Sequence, residues 1–184
     1  MRPRVTSRDQ IDRIALELFL AHGYAEVTTD ELIQACGVSR PTFFRYVASR
    51  DSLVLDHIAQ FGQGVAAMVR ERVEASAWVA LREAMCDAVE MLDPGSREGM
   101  AFRILQSSPG IRSSALELTR TWRGQLTESL VAGEYFAGDD RQCEAAAAMA
   151  IGLFQMTWAS PGATPSSTSA LLRRAFDDAV NLVV

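Results

Sequence analysis

Lysine is missing from this 184-residue sequence, and all 18 basic side chains are arginine. That absence carries no functional meaning by itself. Cysteine is scarce: Cys36, Cys86 and Cys143 are odd in number, far apart and form no C-x-x-C pair. This excludes a disulfide framework and a zinc site, and each thiol reads as a small buried apolar group. Histidine occurs only as His22 and His57. His22 falls at a predicted helix end, where a partly charged ring suits the helix dipole. His57 reads as a helix-face residue rather than an acid–base group. There is no apolar run of the roughly 18 residues that a membrane span needs, since the most apolar stretch, 145–158, is too short. The first residues lack the apolar centre of a signal peptide. The expectation is a cytoplasmic protein with no membrane partner. Also absent are H-E-x-x-H, G-x-S-x-G and a glycine-rich phosphate loop, so neither enzyme activity, a metal nor a cofactor is expected.

What is present is ordinary globular material, 48% hydrophobic and 22% charged. Period-2 alternation and internal repeats are missing, and nearly every segment carries helical periodicity. Ile11, Ile14, Ala15, Leu18 and Phe19 predict one buried face of a helix over 8–22, with Ser7 as cap and Gly23 ending it in the left-handed conformation. Thr28-Thr-Asp-Glu31 is a capping-box pattern that opens a short helix over 29–36, with Leu32 and Ile33 inward. After Gly37, Ser39 caps a third helix over 40–46, where Pro41 is tolerated in the first turn. Ser49 is expected to cap a long fourth helix over 50–73. Further helices are expected at 78–92, at 97–107, from 111 to about 136, and over 139–159. A loop is expected over 160–169, then a ninth helix through Leu172, Phe176 and Val180.

Two short helices meeting at a glycine turn make a helix-turn-helix pattern, about 28–47. The second reads Arg-Pro-Thr-Phe-Phe-Arg-Tyr, too many large groups to bury together. With Phe43 and Val47 inward, Arg40, Thr42, Phe44, Arg45 and Tyr46 point outward. Arginine suits guanine or phosphate, a methyl or aromatic edge suits thymine, and a tyrosine hydroxyl suits phosphate. Net charge is −5 overall, but residues 1–50 sum to +1 and the acidic excess lies entirely beyond them.

In fixed register stand Ile14-Ala-x-x-Leu18-Phe19, Gly23-Tyr24, Val27-Thr28, Gly37-Val-Ser-x-x-Thr-Phe-Phe-Arg-Tyr46 and Ser49-Arg-Asp-x-Leu53. Over about residues 7–66 this pattern resembles the TetR family of bacterial regulators. The resemblance implies an all-α, nine-helix architecture. A three-helix DNA-binding domain would occupy 5–65, and a helical ligand-binding and dimerisation domain 66–184. It implies that Thr28 and Thr29 begin the helix crossing the DNA backbone. Arg40, Pro41, Thr42 and Phe44 fall where bases are touched, and Tyr46 and Arg50 where phosphates are. Ile33 departs from the family's usual alanine, and Cys36 from its usual small residue. The larger Ile33 bears on the angle between the two helices.

The remainder offers bulk apolar side chains, among them Met91, Met100, Leu105 and Met156. Most read as core. Candidate ligand residues are Trp78, Met85, Phe102, Arg103, Trp122, Phe154 and Trp158. Arg103, Ser108-Pro-Gly-Ile-Arg112, Trp122 and the alanine-rich helix ending at Trp158 resemble a TetR subgroup described as binding acyl-CoA-like ligands. This implies an anionic head group near Arg103, Arg112 or Arg123. The small residues 145–148, Ala150 and Gly152, with the stripe Leu172, Phe176 and Val180, predict a homodimer through helices 139–159 and 170–182. The expected function is a repressor released from palindromic double-stranded DNA by a small apolar or amphipathic inducer. The alternatives are an activator, a redox regulator acting through Cys36, a helical enzyme or carrier, and a structural helical dimer.

Overall fold

A computed structural model describes residues 7–74, 76–158 and 164–182. The sequence expectations that reach residues 1–6, 159–163 and 183–184 therefore lie outside the described residues. The described chain is all-helical: α1 (Arg8–His22), α2 (Thr29–Cys36), α3 (Arg40–Tyr46), α4 (Ser52–Glu71), α5 (Ala77–Glu90), α6 (Arg97–Ser107), α7 (Pro109–Ala132), α8 (Asp140–Trp158) and α9 (Pro165–Leu182), with one 3-10 turn at Tyr135–Gly138. It divides into two compact units. The first combines residues up to Ala59 with Pro94–Leu116, and the second combines Gln60–Asp93 with residues from Glu117 onward. The segment 94–116 thus packs with the N-terminal helices, whereas the sequence pattern assigns it to the second domain.

In the first unit the helix starts are set by short-range chemistry. The Ser7 hydroxyl accepts from the Gln10 N–H, and the Ser39 hydroxyl from the Thr42 N–H, each at 3.3 Å. Thr28 and Glu31 form a reciprocal box: the Glu31 N–H donates to Thr28 Oγ1 at 3.2 Å, and the Thr28 N–H donates to Glu31 Oε2 at 2.7 Å. Such caps contribute about 1 kcal/mol each. The box's backbone hydrogen bond to the carboxylate also holds Glu31 below its ordinary value.

Several expectations are corrected. Gly23 has a positive φ of 93° but ψ of 138°, so α1 ends on a positive-φ glycine outside the left-handed helical region. The buried face of α1 is Ile11, Asp12, Ala15, Leu16 and Phe19, with Ile14 and Leu18 half-buried. A carboxylate enters that face because Arg8 and His57 meet it there, so apolar periodicity alone misplaces the face. The fourth helix begins at Ser52, not at 50. The Ser49 hydroxyl does accept from the Ser52 N–H at 3.1 Å, which leaves Arg50 and Asp51 in the turn before the helix. α7 stops at Ala132, short of 136, because Glu134, Phe136 and Ala137 all take positive φ near 55°.

The second unit packs α5, α8 and α9 against one another. The expected loop over 160–169 is shorter: Thr164 and Ser167 cap each other, and Pro165 begins α9. An arginine–carboxylate network stitches α5 to α9, with Arg173 on Glu83 at 2.7 Å and Arg82 on Asp177 at 2.6 Å. Trp78 donates its indole N–H to the Phe176 carbonyl at 3.1 Å. Leu172 and Phe176 are wholly buried inside this subunit, so they do not form the predicted external stripe. Met91 and Met156, read from sequence as core, are exposed.

Candidate functional site

The third helix carries the candidate reading surface. Phe43 and Val47 are buried, and they fix which side of this seven-residue helix faces inward. Arg40, Pro41, Phe44 and Arg45 are exposed, while Thr42 and Tyr46 are half-buried. Phe44 leaves 46% of its surface in water while its ring edge rests on Phe43. The Arg40 guanidinium stands 5.7 Å from the Phe44 ring centre, and Arg45 stands 5.0 Å from that of Tyr46. These contacts hold the two long cations near the surface rather than collapsed onto the protein. Arg40 also pairs with Asp30 of α2 at 2.6 Å. Both partners are well exposed, so a phosphate or base edge can displace Asp30 at little cost. Thr28 is exposed and Thr29 half-buried at the start of α2.

Arg50, expected among the phosphate contacts, is half-buried. Its guanidinium stacks 4.1 Å from the Tyr24 ring centre and 5.3 Å from that of Phe19. Its Nε and Nη2 are buried with no hydrogen-bond partner. Beside it Asp51 accepts from the Tyr24 hydroxyl and, at 3.1 Å, from the Ser114 hydroxyl of α7. Burial, then the Asp51 carboxylate, pushes the Tyr24 hydroxyl well above its ordinary value, so it stays a donor.

A second cluster escapes sequence reading altogether. Arg8 donates from Nη1 to the Tyr46 carbonyl at 2.8 Å, from Nη2 to Asp56 at 2.9 Å and to the Ser52 carbonyl at 3.3 Å, and from Nε to Asp12 at 2.6 Å. One guanidinium thus ties the C-terminal end of α3 to α1 and α4, where a cation also suits the helix dipole. Behind it, His57 Nε2 lies 3.3 Å from Asp12, and Nδ1 lies 4.0 Å from Glu98 of α6. His57 is only 3% exposed, so it is an interior polar residue and not one on an open helix face. Burial would raise the Asp12 carboxyl. The nearby His57 ring and the Arg8 hydrogen bond outweigh that and hold it below its ordinary value. A histidine among apolar periodic positions gives no sequence sign of carboxylates 45 and 41 residues away (57 − 12 and 98 − 57).

In the second unit the structure brings together three of the predicted ligand residues and adds a fourth, Phe61. Phe61 and Phe154 stack at 5.7 Å, Phe154 and Trp158 at 5.9 Å, and Trp122 tilts against Phe61 at 6.0 Å and Phe154 at 5.9 Å. Met85 is buried on α5, and Trp78 packs on Phe176. Phe102 is buried in the first unit, and Arg103 is exposed there. Arg112 is exposed and donates to the Gln106 carbonyl, and Arg123 pairs with Glu144 at 3.3 Å. No helix among the described residues is long and apolar enough to cross a membrane.

Comparison with known proteins agrees with this geometry. The family described as bacterial regulatory proteins, tetR family, matches residues 13–56. A Mycobacterium tuberculosis protein named as the mycofactocin biosynthesis transcriptional regulator MftR is 30% identical over 128 residues, 66% of this chain and 63% of that one. The HTH-type transcriptional regulator TcmR of Streptomyces glaucescens is 29% identical over 142 residues, 73% of this chain and 63% of that one. The matched part of the chain therefore spans just under two thirds of each relative's length. Among solved structures, a TetR-family regulator of Syntrophomonas wolfei superposes with TM-score 0.69 at 13% identity, over 95% of this chain and 94% of that one. Bacillus subtilis FadR in complex with stearoyl-CoA superposes at 0.60 and 18% identity, over 92% and 95%. At those identities the superpositions establish the fold alone. Residues 13–56 are therefore those of the tetR family of bacterial regulatory proteins, and the chain as a whole has the fold that TetR-family regulators share.

Proposed function

We propose that this protein is a homodimeric transcriptional repressor that grips a palindromic operator through α2 and α3 and lets go when a small apolar or amphipathic molecule binds its second unit. The observation that carries this reading is the outward set Arg40, Thr42, Phe44 and Arg45 standing on a buried Phe43. A half-exposed phenylalanine flanked by two arginines has a ready purpose in a major groove, where its edge meets thymine methyls and the arginines meet guanine and phosphate. Arg50 drops from the direct contacts in this reading and serves by stacking behind them.

Two such helices must stand roughly 34–36 Å apart to enter successive major grooves. The apolar and small surface that favours self-association is Ala145, Ala148, Met149, Gly152 and Met156 of α8, with Leu171 and Val180 of α9, all exposed in the single chain. The inducer must prefer the shape that does not fit DNA, with a coupling of roughly 1–3 kcal/mol. Both α4 and α7 run from the first unit into the second, so either helix can carry that preference to the reading surface.

A duplex selected from random DNA by the full-length protein supplies the operator for the test. Arg40→Ala and Tyr46→Ala are each expected to weaken binding to it. Unchanged affinity in both variants would sink the proposal. A redox switch at Cys36 has little support. The side chain is 1% exposed, and burial pushes its thiol up to about 11, so the reactive thiolate is scarce at neutral pH.

A further inference from the structure

We infer that the inducer is a neutral, planar aromatic molecule carrying a hydrogen-bond acceptor beside a donor, held by Trp122 Nε1 and Gln125 Oε1 against the ring wall of Phe61, Phe154 and Trp158. The inference rests on the proposed ligand-responsive regulator and names the chemistry of its ligand.

Three observations within the second unit carry it. The first is the wall. Phe61, Phe154 and Trp158 are nearly parallel in sequence, with interplanar angles of 27° and 21°, and Trp122 closes one side at 45° to Phe61. Contiguous ring faces and edges favour a flat, polarisable partner that can stack or pack edge-on. A flexible alkyl chain gains contact there but no such geometric match.

The second is a pair of buried polar atoms without partners. Trp122 is 8% exposed, and its indole N–H donates to no protein group; the Gln125 side-chain carbonyl is likewise buried and accepts from none. Buried polar groups are ordinarily paired, and an unpaired one costs about 1–3 kcal/mol. The two lie three residues apart on α7, hence on one face of the helix. Gly62 of the neighbouring helix does not sit in front of the indole N–H. A Cβ placed on Gly62 would lie 2.0 Å from Nε1 and 2.3 and 2.4 Å from the ring atoms Cε2 and Cδ1. Nearly equal distances that short describe an atom above the ring face, not one beyond the N–H edge. Gly62 of α4 therefore covers a face of the pyrrole ring and not its N–H edge.

The third is charge. Among the described residues of the second unit, Arg72, Arg82, Arg123, Arg173 and Arg174 are matched by carboxylates. Arg70, Arg120 and Arg141 are exposed. The sequence holds no lysine, and neither histidine lies in this unit. No buried cation serves an anionic head group beside the ring wall, so the polar recognition is of neutral groups. This departs from the acyl-CoA-like ligand implied by the weaker family resemblance.

The bicyclic lactam 2-quinolone has the required shape, with its carbonyl for Trp122 Nε1 and its N–H for Gln125 Oε1. Calorimetry on the full-length protein would compare it with N-methyl-2-quinolone and palmitoyl-CoA, and fluorescence anisotropy would follow release of the selected operator. The expectation is that 2-quinolone binds and releases DNA, and that Trp122→Phe and Gln125→Leu each weaken it about tenfold. N-methylation should cost the same tenfold on the unaltered protein and nothing further on Gln125→Leu. Trp122→Phe keeps a ring against Gly62, and its melting curve checks that it folds; if it does not, the N-methyl comparison still decides. Failure of 2-quinolone to bind, or binding indifferent to both substitutions, overturns the inference. Release by palmitoyl-CoA with no quinolone binding overturns it while leaving the repressor reading intact. Absence of any operator affinity sinks the repressor reading, and calorimetry then still judges the site.

Discussion

The two units use side chains in opposite directions. In the first, the candidate functional groups point outward from a scaffold tied together by polar contacts: Arg8 to Tyr46, Asp12 to His57, and Asp51 to Tyr24 and Ser114. In the second, polar contacts line the α5–α9 seam, while the candidate functional groups are aromatic rings facing inward. A reading surface must keep its shape while its outer atoms remain free for DNA. Buried ion pairs and hydrogen bonds serve that need because they fix direction as well as distance. A ligand site must desolvate its guest, so it is built of the same residue types as a core.

The contrast can be broken most directly inside α3. Phe43→Ala removes a wholly buried ring and is expected to cost about 3–5 kcal/mol in urea denaturation. Phe44→Ala should leave stability within about 0.5 kcal/mol yet weaken operator binding roughly tenfold or more. Equal losses of stability in adjacent phenylalanines would show that α3 has no inner and outer side.

Next in size is the polar scaffold. Arg8→Ala leaves Asp12 with one partner fewer and frees the end of α3, and should cost roughly 2–3 kcal/mol. Asp12 is held below its ordinary value, so the unfolded chain binds its proton more readily than the folded one. Its contribution is therefore present above the unfolded value of about 3.9 and is lost as pH falls through the lower folded value. Melting temperature against pH between about 5 and 2 should slope less in Asp12→Asn than in the unaltered protein.

Gly62→Ala probes the second unit. A methyl 2.0 Å from the Trp122 ring must displace it, at about 1–3 kcal/mol. The intrinsic tryptophan emission should shift while contacts within α1–α3 stay unchanged by amide exchange. The smallest effect is expected at Cys36. Treatment of the folded protein with iodoacetamide should leave operator affinity unaltered, and loss of binding on labelling would revive the redox alternative.

Much of the first unit was legible in the sequence. The limits of α1, α2 and α3 follow from Ser7, the Thr28–Glu31 box, Ser39 and two glycines, because a cap acts on an N–H three residues away and needs no distant partner. The outward set on α3 followed from simple crowding, since seven residues with three aromatic rings cannot all be buried. The location of Arg50 was not legible. Its stacking on Tyr24 and Phe19 spans more than two dozen residues, and an arginine in a turn carries no local sign of a ring above it.

In the second unit, legibility was confined to helix periodicity. Leu172, Phe176 and Val180 share one stripe, yet the first two are buried and Val180 is half in water. Periodicity tells which side chains share a face, not what the face meets. For the same reason Phe61 is, by sequence, one more apolar side chain on a long helix, and only its neighbours Trp122 and Phe154 make it part of a ring wall.

The sequence by itself determined the all-helical class, the family resemblance of the N-terminal segment, the first three helices to the residue, and the outward face of α3. All of these rest on caps, periods and short-range sterics. The tertiary structure alone decided that Arg8 clamps the end of α3, that His57 sits between carboxylates, that residues 94–116 pack with the N-terminal unit, and that Trp122 and Gln125 keep polar atoms buried without partners. The physical reason is distance along the chain. Local hydrogen bonds and sterics are written in neighbouring letters, whereas burial and charge pairing depend on which remote helices come together.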